Sequence, residues 1–179
     1  MKVSFRALKN FFDFSGTPQE LANILAGLGF PNDGVTMKGE GLSQVLVGKI
    51  LSRNKHPQAD KLSLLEVDIG REKLPIVCGA QNMKAGDFVA LAPVGARIPG
   101  KDGSGLVMKE AKIRGETSKG MCCSEAELRL SDESDGIWLL PPSVVSDSDL
   151  GQPVSKFFDL EDAIFEIDVT PNRGDALSL

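Results

Sequence analysis

The chain has 179 residues, 41% of them hydrophobic and 25% charged, with a formal net charge of −5; this is enough to bury a real core in one or two domains. No apolar run approaches the roughly 18 residues of a membrane helix, and the opening MKVSFRALKN lacks the apolar centre and cleavage site of a signal peptide, so the expectation is a non-membrane, cytoplasmic protein. The charge is polarised along the chain: residues 49–122 carry thirteen Lys/Arg against eight Asp/Glu, net +5, whereas residues 123–179 are net −10. The basic stretch is either a solvated face or a surface for a polyanion.

The first predicted element is a short helix near Arg6 to Phe12. A clearer one follows in TPQELANILAGLGF, where Thr17 and Glu20 form a capping box, Pro18 fits the first helical position and Gly29 supplies a stop. Leu21, Ile24, Leu25 and Leu28 make its expected apolar face.

The middle reads as β-structure. SQVLVGKIL, KLSLLEVDIG, KLPIVCGA, DFVALAPVGARI and GLVMKEAKIRG are apolar or alternating runs broken by Gly, Pro and Asp turns. Five strands in about 75 residues suggest a small closed barrel of the oligonucleotide-binding (OB) type. A short helix is expected from Ser124, and DGIWLLP adds a further strand. Five phenylalanines fall in residues 1–40 and three in 151–179, with only Phe88 between. Each flank is too short for a core of its own. The fold expected is therefore α+β, a five-stranded barrel at 41–150 inserted into a discontinuous α/β domain made of 1–40 and 151–179. Phe5, Phe11 or Phe12, Leu25, Phe157 and Phe165 are expected to share the core of that discontinuous domain.

Candidate chemistry is sparse. Cys78, Cys122 and Cys123 show no CxxC spacing, and one histidine completes no four-ligand zinc set, so no metal site is expected. His56, the sole histidine, lies in HPQADKL beside Pro57, at a strand exit. Ser52, Ser63 and Cys78 give it no triad spacing, so no catalytic residue is assigned. Strand alternation puts Lys49, Arg53 and Lys55 on one side, and Lys112 with Arg114 on one side of a later strand. These cations either face solvent or neutralise phosphates. With no tyrosine and few aromatics in the middle segment, RNA binding would read phosphate and shape rather than stacked bases, favouring folded RNA.

Taken in order, KHPQADKLSLLEVDIG, IVCGAQNMKAGDFVALAPVGARIPG, KIRGETSKGMCCSEAELRL, DGIWLLP and EIDVTPNRGDALSL resemble the amino-terminal part of the bacterial phenylalanyl-tRNA synthetase β-subunit family. The likeness covers nearly the whole chain. HPxADKL followed by SxGMxxS is similar to the wider family of tRNA-binding OB domains, and TPNR points to the synthetase subunit.

The resemblance implies a noncatalytic fragment of an ATP-dependent ligase of protein biosynthesis, with the active site in a separate α subunit. ATP and magnesium would serve the whole enzyme, and no cofactor is expected in this part. Implied partners are tRNA and the α subunit, in a heterotetramer of two α and two β chains. Implied tRNA-binding residues are Lys55, Lys61, Asn82, Lys112, Arg114, Ser118, Met121 and Ser124. The rival readings are an architectural module without RNA contact and a free-standing tRNA-binding protein. The sequence departs from the family at Arg129, where relatives carry glycine after the acidic helix, and at Gly174 and Ala176.

Overall fold

The computed structural model describes residues 1–131 and 135–171. The chain opens with β1 (Lys2–Ser4), the one-turn helix α1 (Phe5–Leu8), helix α2 (Pro18–Gly27) and β2 (Asn32–Lys38). Four longer strands follow: β3 (Leu46–His56), β4 (Ala59–Asp68), β5 (Lys73–Cys78) and β6 (Phe88–Pro93). Then come β7 (Arg97–Ile98), β8 (Leu106–Val107), β9 (Ala111–Ile113), β10 (Glu116–Ser118), β11 (Gly120–Cys122) and β12 (Leu139–Leu140). β13 (Asp162–Ile167) is the last strand among the described residues. The architecture is mostly sheet with few helices, in keeping with an OB-like domain. The chain divides into two compact units, Met1–Lys38 with Glu161–Leu179, and Gly39–Leu160.

The first unit is built on the antiparallel sheet β1-β13-β2. Val3 lies opposite Phe165 and Asp162 opposite Lys38, so strand pairing ties the start of the chain to its last described strand. Val3, Leu8, Leu21, Ala22, Phe165 and Ile167 form the core, with Phe5, Phe14, Leu25 and Phe30 packed on it. Phe165 is fully buried and meets the edge of Phe5 at 6.1 Å between ring centroids. Burying a side chain of this size stabilises by roughly 1.5–3 kcal/mol.

Several expectations change here. The helix expected over Arg6 to Phe12 is a single turn, capped by Ser4, whose Oγ accepts from Ala7 N–H at 3.0 Å. Phe11 and Phe12 are exposed, and Phe14 and Phe30 take the places expected of them. In α2 the buried residues are Leu21 and Ala22, while Ile24 and Leu28 are exposed. The helix lies on the sheet along a narrower stripe than its apolar sequence suggests. Its capping box is formed: Thr17 Oγ accepts from Glu20 N–H, and Glu20 Oε2 accepts from Thr17 N–H at 2.7 Å. At its other end Gly29, with φ +86°, and Phe30 N–H to Leu25 O close a Schellman stop.

The second unit holds the sheet β11-β6-β3-β4-β5, with β12 also pairing β6. Strand β3 serves both neighbours, pairing β6 over Leu46–Lys49 and β4 from Lys49 onward. β5 is bridged to the β10–β11 segment: Ser118 Oγ accepts from Val77 N–H at 3.0 Å, and Lys119 N–H donates to Pro75 O at 2.9 Å. One core cluster gathers Leu42, Val47, Leu128, Leu140 and Val154, the other Ile50, Val67, Ile76 and Leu91.

The fifth predicted run, GLVMKEAKIRG, does not form one strand. It splits into β8, paired with β7, and β9, paired with β10, and β11 takes the place beside β6. Residues 151–160 belong to the second unit rather than to the flank, because Val154 N–H bonds Val45 O and Val47 N–H bonds Gln152 O. Phe157 and Phe158 consequently pack on the second unit's core, Phe158 at 5.0 Å from Trp138. The helix expected from Ser124 is a capped turn. Arg129, with φ +54°, ends it in the same Schellman pattern that Gly29 makes, through Arg129 N–H to Ala126 O and Leu130 N–H to Glu125 O. The TPNR and departure positions at 172–176 lie outside the described residues.

Candidate nucleic-acid interface

Two β-hairpins of the second unit meet at their tips. In the first, β3 turns into β4 through Pro57 and Gln58, with His56 opposite Ala59. In the second, β9 turns into β10 through Arg114 and Gly115, at φ +51° and +95°, with Ile113 opposite Glu116. Two central residues with positive φ make this a type I′ turn, whose twist suits a tight hairpin.

His56 joins the two. It is only 4% exposed, and its Nδ1 accepts from Gln58 N–H at 3.0 Å. A backbone N–H can only donate, so the ring hydrogen is on Nε2, which donates to Ile113 O at 3.3 Å. A Cβ on Gly115 would lie 3.9 Å from Gln58 Oε1, so the turns are neighbours. The HPQADKL motif thus carries a staple between the hairpins.

Four of the predicted contact residues lie on these two hairpins. Lys55 precedes His56, Lys61 follows on β4, and Lys112 and Arg114 flank Ile113. All four are exposed, and among the described residues none lies in a salt bridge. Arg114 is in the turn and not on the strand, so the expected alternation with Lys112 does not apply. A β-bulge between Ile50 and Ser52 likewise breaks the alternation of Lys49 with Arg53 and Lys55. Lys49 pairs with Asp147 and lies over the Phe88 ring, and Arg53 donates to Ser63 Oγ, Met83 O and Gln81 Oε1. These two cations hold the fold.

The remaining predicted contacts do other work. Ser118 is 2% exposed, and its hydroxyl donates to Gly120 O while accepting from Val77 N–H. Ser124 is buried and caps its turn, exchanging hydrogen bonds with Glu127. Asn82 pairs both amide atoms with the backbone of Ile137, at 2.9 and 3.1 Å. Met121 packs half-buried against the core. Asn82, Met121 and Ser124 border an open cleft of about 740 Å³, with Lys101, Glu127 and Asp135 on the same rim. Sequence reasoning missed Gln58 and Gly115, whose side-by-side placement shows only once His56 is seen to bond Ile113.

Burial pushes the Cys78, Cys122 and Cys123 thiols up, and all three are buried. No cluster of His, Cys, Asp or Glu able to hold a metal occurs among the described residues. What the hairpins present is fixed positive charge, the ingredient of phosphate recognition.

Residues 45–148 match the family described as "Putative tRNA binding domain". The chain belongs to this tRNA-binding domain family. The matched stretch contains both hairpins. Over all 179 residues the chain is 51% identical to a phenylalanine–tRNA ligase β subunit of Geobacter metallireducens and 46% identical to that of Syntrophus aciditrophicus. It covers 21% of each of those proteins, and so spans about a fifth of the length of the relatives it matches. The C-terminal domain of Plasmodium vivax p43 is similar over 62% of this chain and 59% of its own, at 23% identity and a TM-score of 0.41.

Proposed function

We propose that this chain is the noncatalytic amino-terminal part of a phenylalanine–tRNA ligase β subunit, and that its second unit contacts folded tRNA through the paired hairpin tips. The observation that carries this is the set of exposed cations, Lys55, Lys61, Lys112 and Arg114, that form no salt bridge among the described residues and lie on two hairpins joined by His56. The bridging of β5 to the β10–β11 segment favours a closed barrel of the OB type as the platform. Catalysis then belongs to an α subunit, with which such β chains form a heterotetramer in the cytoplasm. ATP and magnesium act there.

The aromatic side chains support folded RNA as the ligand. Phe88 and Trp138 are buried and Phe157 and Phe158 pack half-buried on the core, which leaves little ring face for stacking a base. Binding rests on phosphate geometry, with affinity for isolated tRNA of about micromolar or weaker, near the nonspecific range. The test is competition between tRNA and an unstructured RNA of equal length for the 179-residue chain. Preference for tRNA is expected, and equal or better competition by the unstructured strand would overturn the reading.

A further inference from the structure

We infer that His56 is a positioning residue for RNA binding, clipping the β9–β10 hairpin so that Lys112 and Arg114 present their charges together with Lys55 and Lys61. This rests on the proposed tRNA contact. Three observations carry it. The residue that His56 bonds, Ile113, is the one between Lys112 and Arg114, so the clip acts on the backbone that aims both cations. The imidazole is 4% exposed and engaged on both nitrogens, which leaves it no direct part in contacting a ligand. The far end of the same hairpin is held separately, by Ser118 and Lys119 on β5, so without His56 the tip can swing while its base stays paired.

The ring does two jobs that two other side chains can divide. An asparagine carries an oxygen near the place of Nδ1 and keeps the turn at Gln58, but it is too short to reach Ile113. A glutamine carries an N–H near the place of Nε2 and restores the clip. The experiment is tRNA binding by the 179-residue wild type, His56→Asn, His56→Gln and Lys112→Glu/Arg114→Glu across a salt series, with a thermal melt of each. His56→Asn is expected to bind about three- to tenfold more weakly. Its slope of log affinity against log salt should be shallower by about one to two units, because the cations no longer engage together. His56→Gln recovers most of the affinity and the slope. A chain that merely folds less well loses active fraction at an unchanged slope, so the slope separates positioning from stability. The inference is overturned if folded His56→Asn keeps the wild-type slope, or if His56→Gln is no better than His56→Asn. Should His56→Asn fail to fold, His56→Gln decides alone: recovered slope supports the clip and a lost slope refutes it. If the double charge reversal leaves binding intact, the tRNA-contact reading itself has failed; if it weakens binding while folded His56→Asn does not, only the clip has.

Discussion

Arg114 holds the first central position of a type I′ turn at φ +51°, a place where asparagine and glycine are favoured and a long side chain is strained. Strain of this kind costs about 1–3 kcal/mol and collects where function requires a particular side chain. Arg114→Asn therefore separates two quantities. Stability is expected to rise by about 0.5–1 kcal/mol, read from a thermal melt, because the turn is relieved. At the same time the salt slope of tRNA binding becomes shallower by about one unit, because a phosphate contact is lost. A variant that is stabilised yet binds with the wild-type slope would remove Arg114 from the interface. Among the described residues Arg129 is the other non-glycine residue with positive φ, but its left-handed backbone is explained locally: it ends a Schellman turn.

At the scale of elements, the SKGMCCS segment shows how a motif can be legible while its role is not. Ser118 bridges to β5, Ser124 caps a turn, and Gly120 lies so close to β6 that a Cβ would be 2.6 Å from Ala92 O, with φ +139° besides. Gly120→Ala is expected to destabilise the second unit by roughly 2–3 kcal/mol, since neither backbone can give way cheaply. A denaturant melt within a few tenths of a kcal/mol of wild type would contradict that. The motif's order and spacing could be read from the sequence, but whether a serine faces a ligand or a neighbouring strand depends on burial, which spacing does not encode. The same limit applies to the cations: alternation fails at Lys49 and Arg53 because one bulge shifts the register, and no pattern in the sequence marks that bulge. The capping box of α2 was fully legible because it is local. The Glu20 carboxyl is held below its usual range, first by the Thr17 N–H and then by the Thr17 hydroxyl. Its support for the helix is present above the carboxyl's unfolded value and is lost as pH falls through the lowered folded one.

For the whole molecule, the uneven phenylalanines pointed to pairing between distant parts of the chain, and β1 with β13 provides it, closing a sheet around Phe165. The boundary at 150 was misplaced because Phe157 and Phe158 look like members of the Phe-rich flank; backbone bonds from residues 151–154 to Val45 and Val47 commit them to the other unit. Within the basic stretch at 49–122, Lys49 and Arg53 hold the fold, while Lys55, Lys61, Lys112 and Arg114 lie exposed on the two hairpins. The proposed tRNA contact requires these four cations to meet the phosphates of a folded tRNA. The most direct measurement is the salt dependence of tRNA binding by wild type and by Lys112→Glu/Arg114→Glu. Four engaged cations predict a wild-type slope of about −3 to −4, and the reversal is expected to abolish binding or flatten that slope by about two units. Wild-type affinity and an unchanged slope in a folded double variant would contradict it.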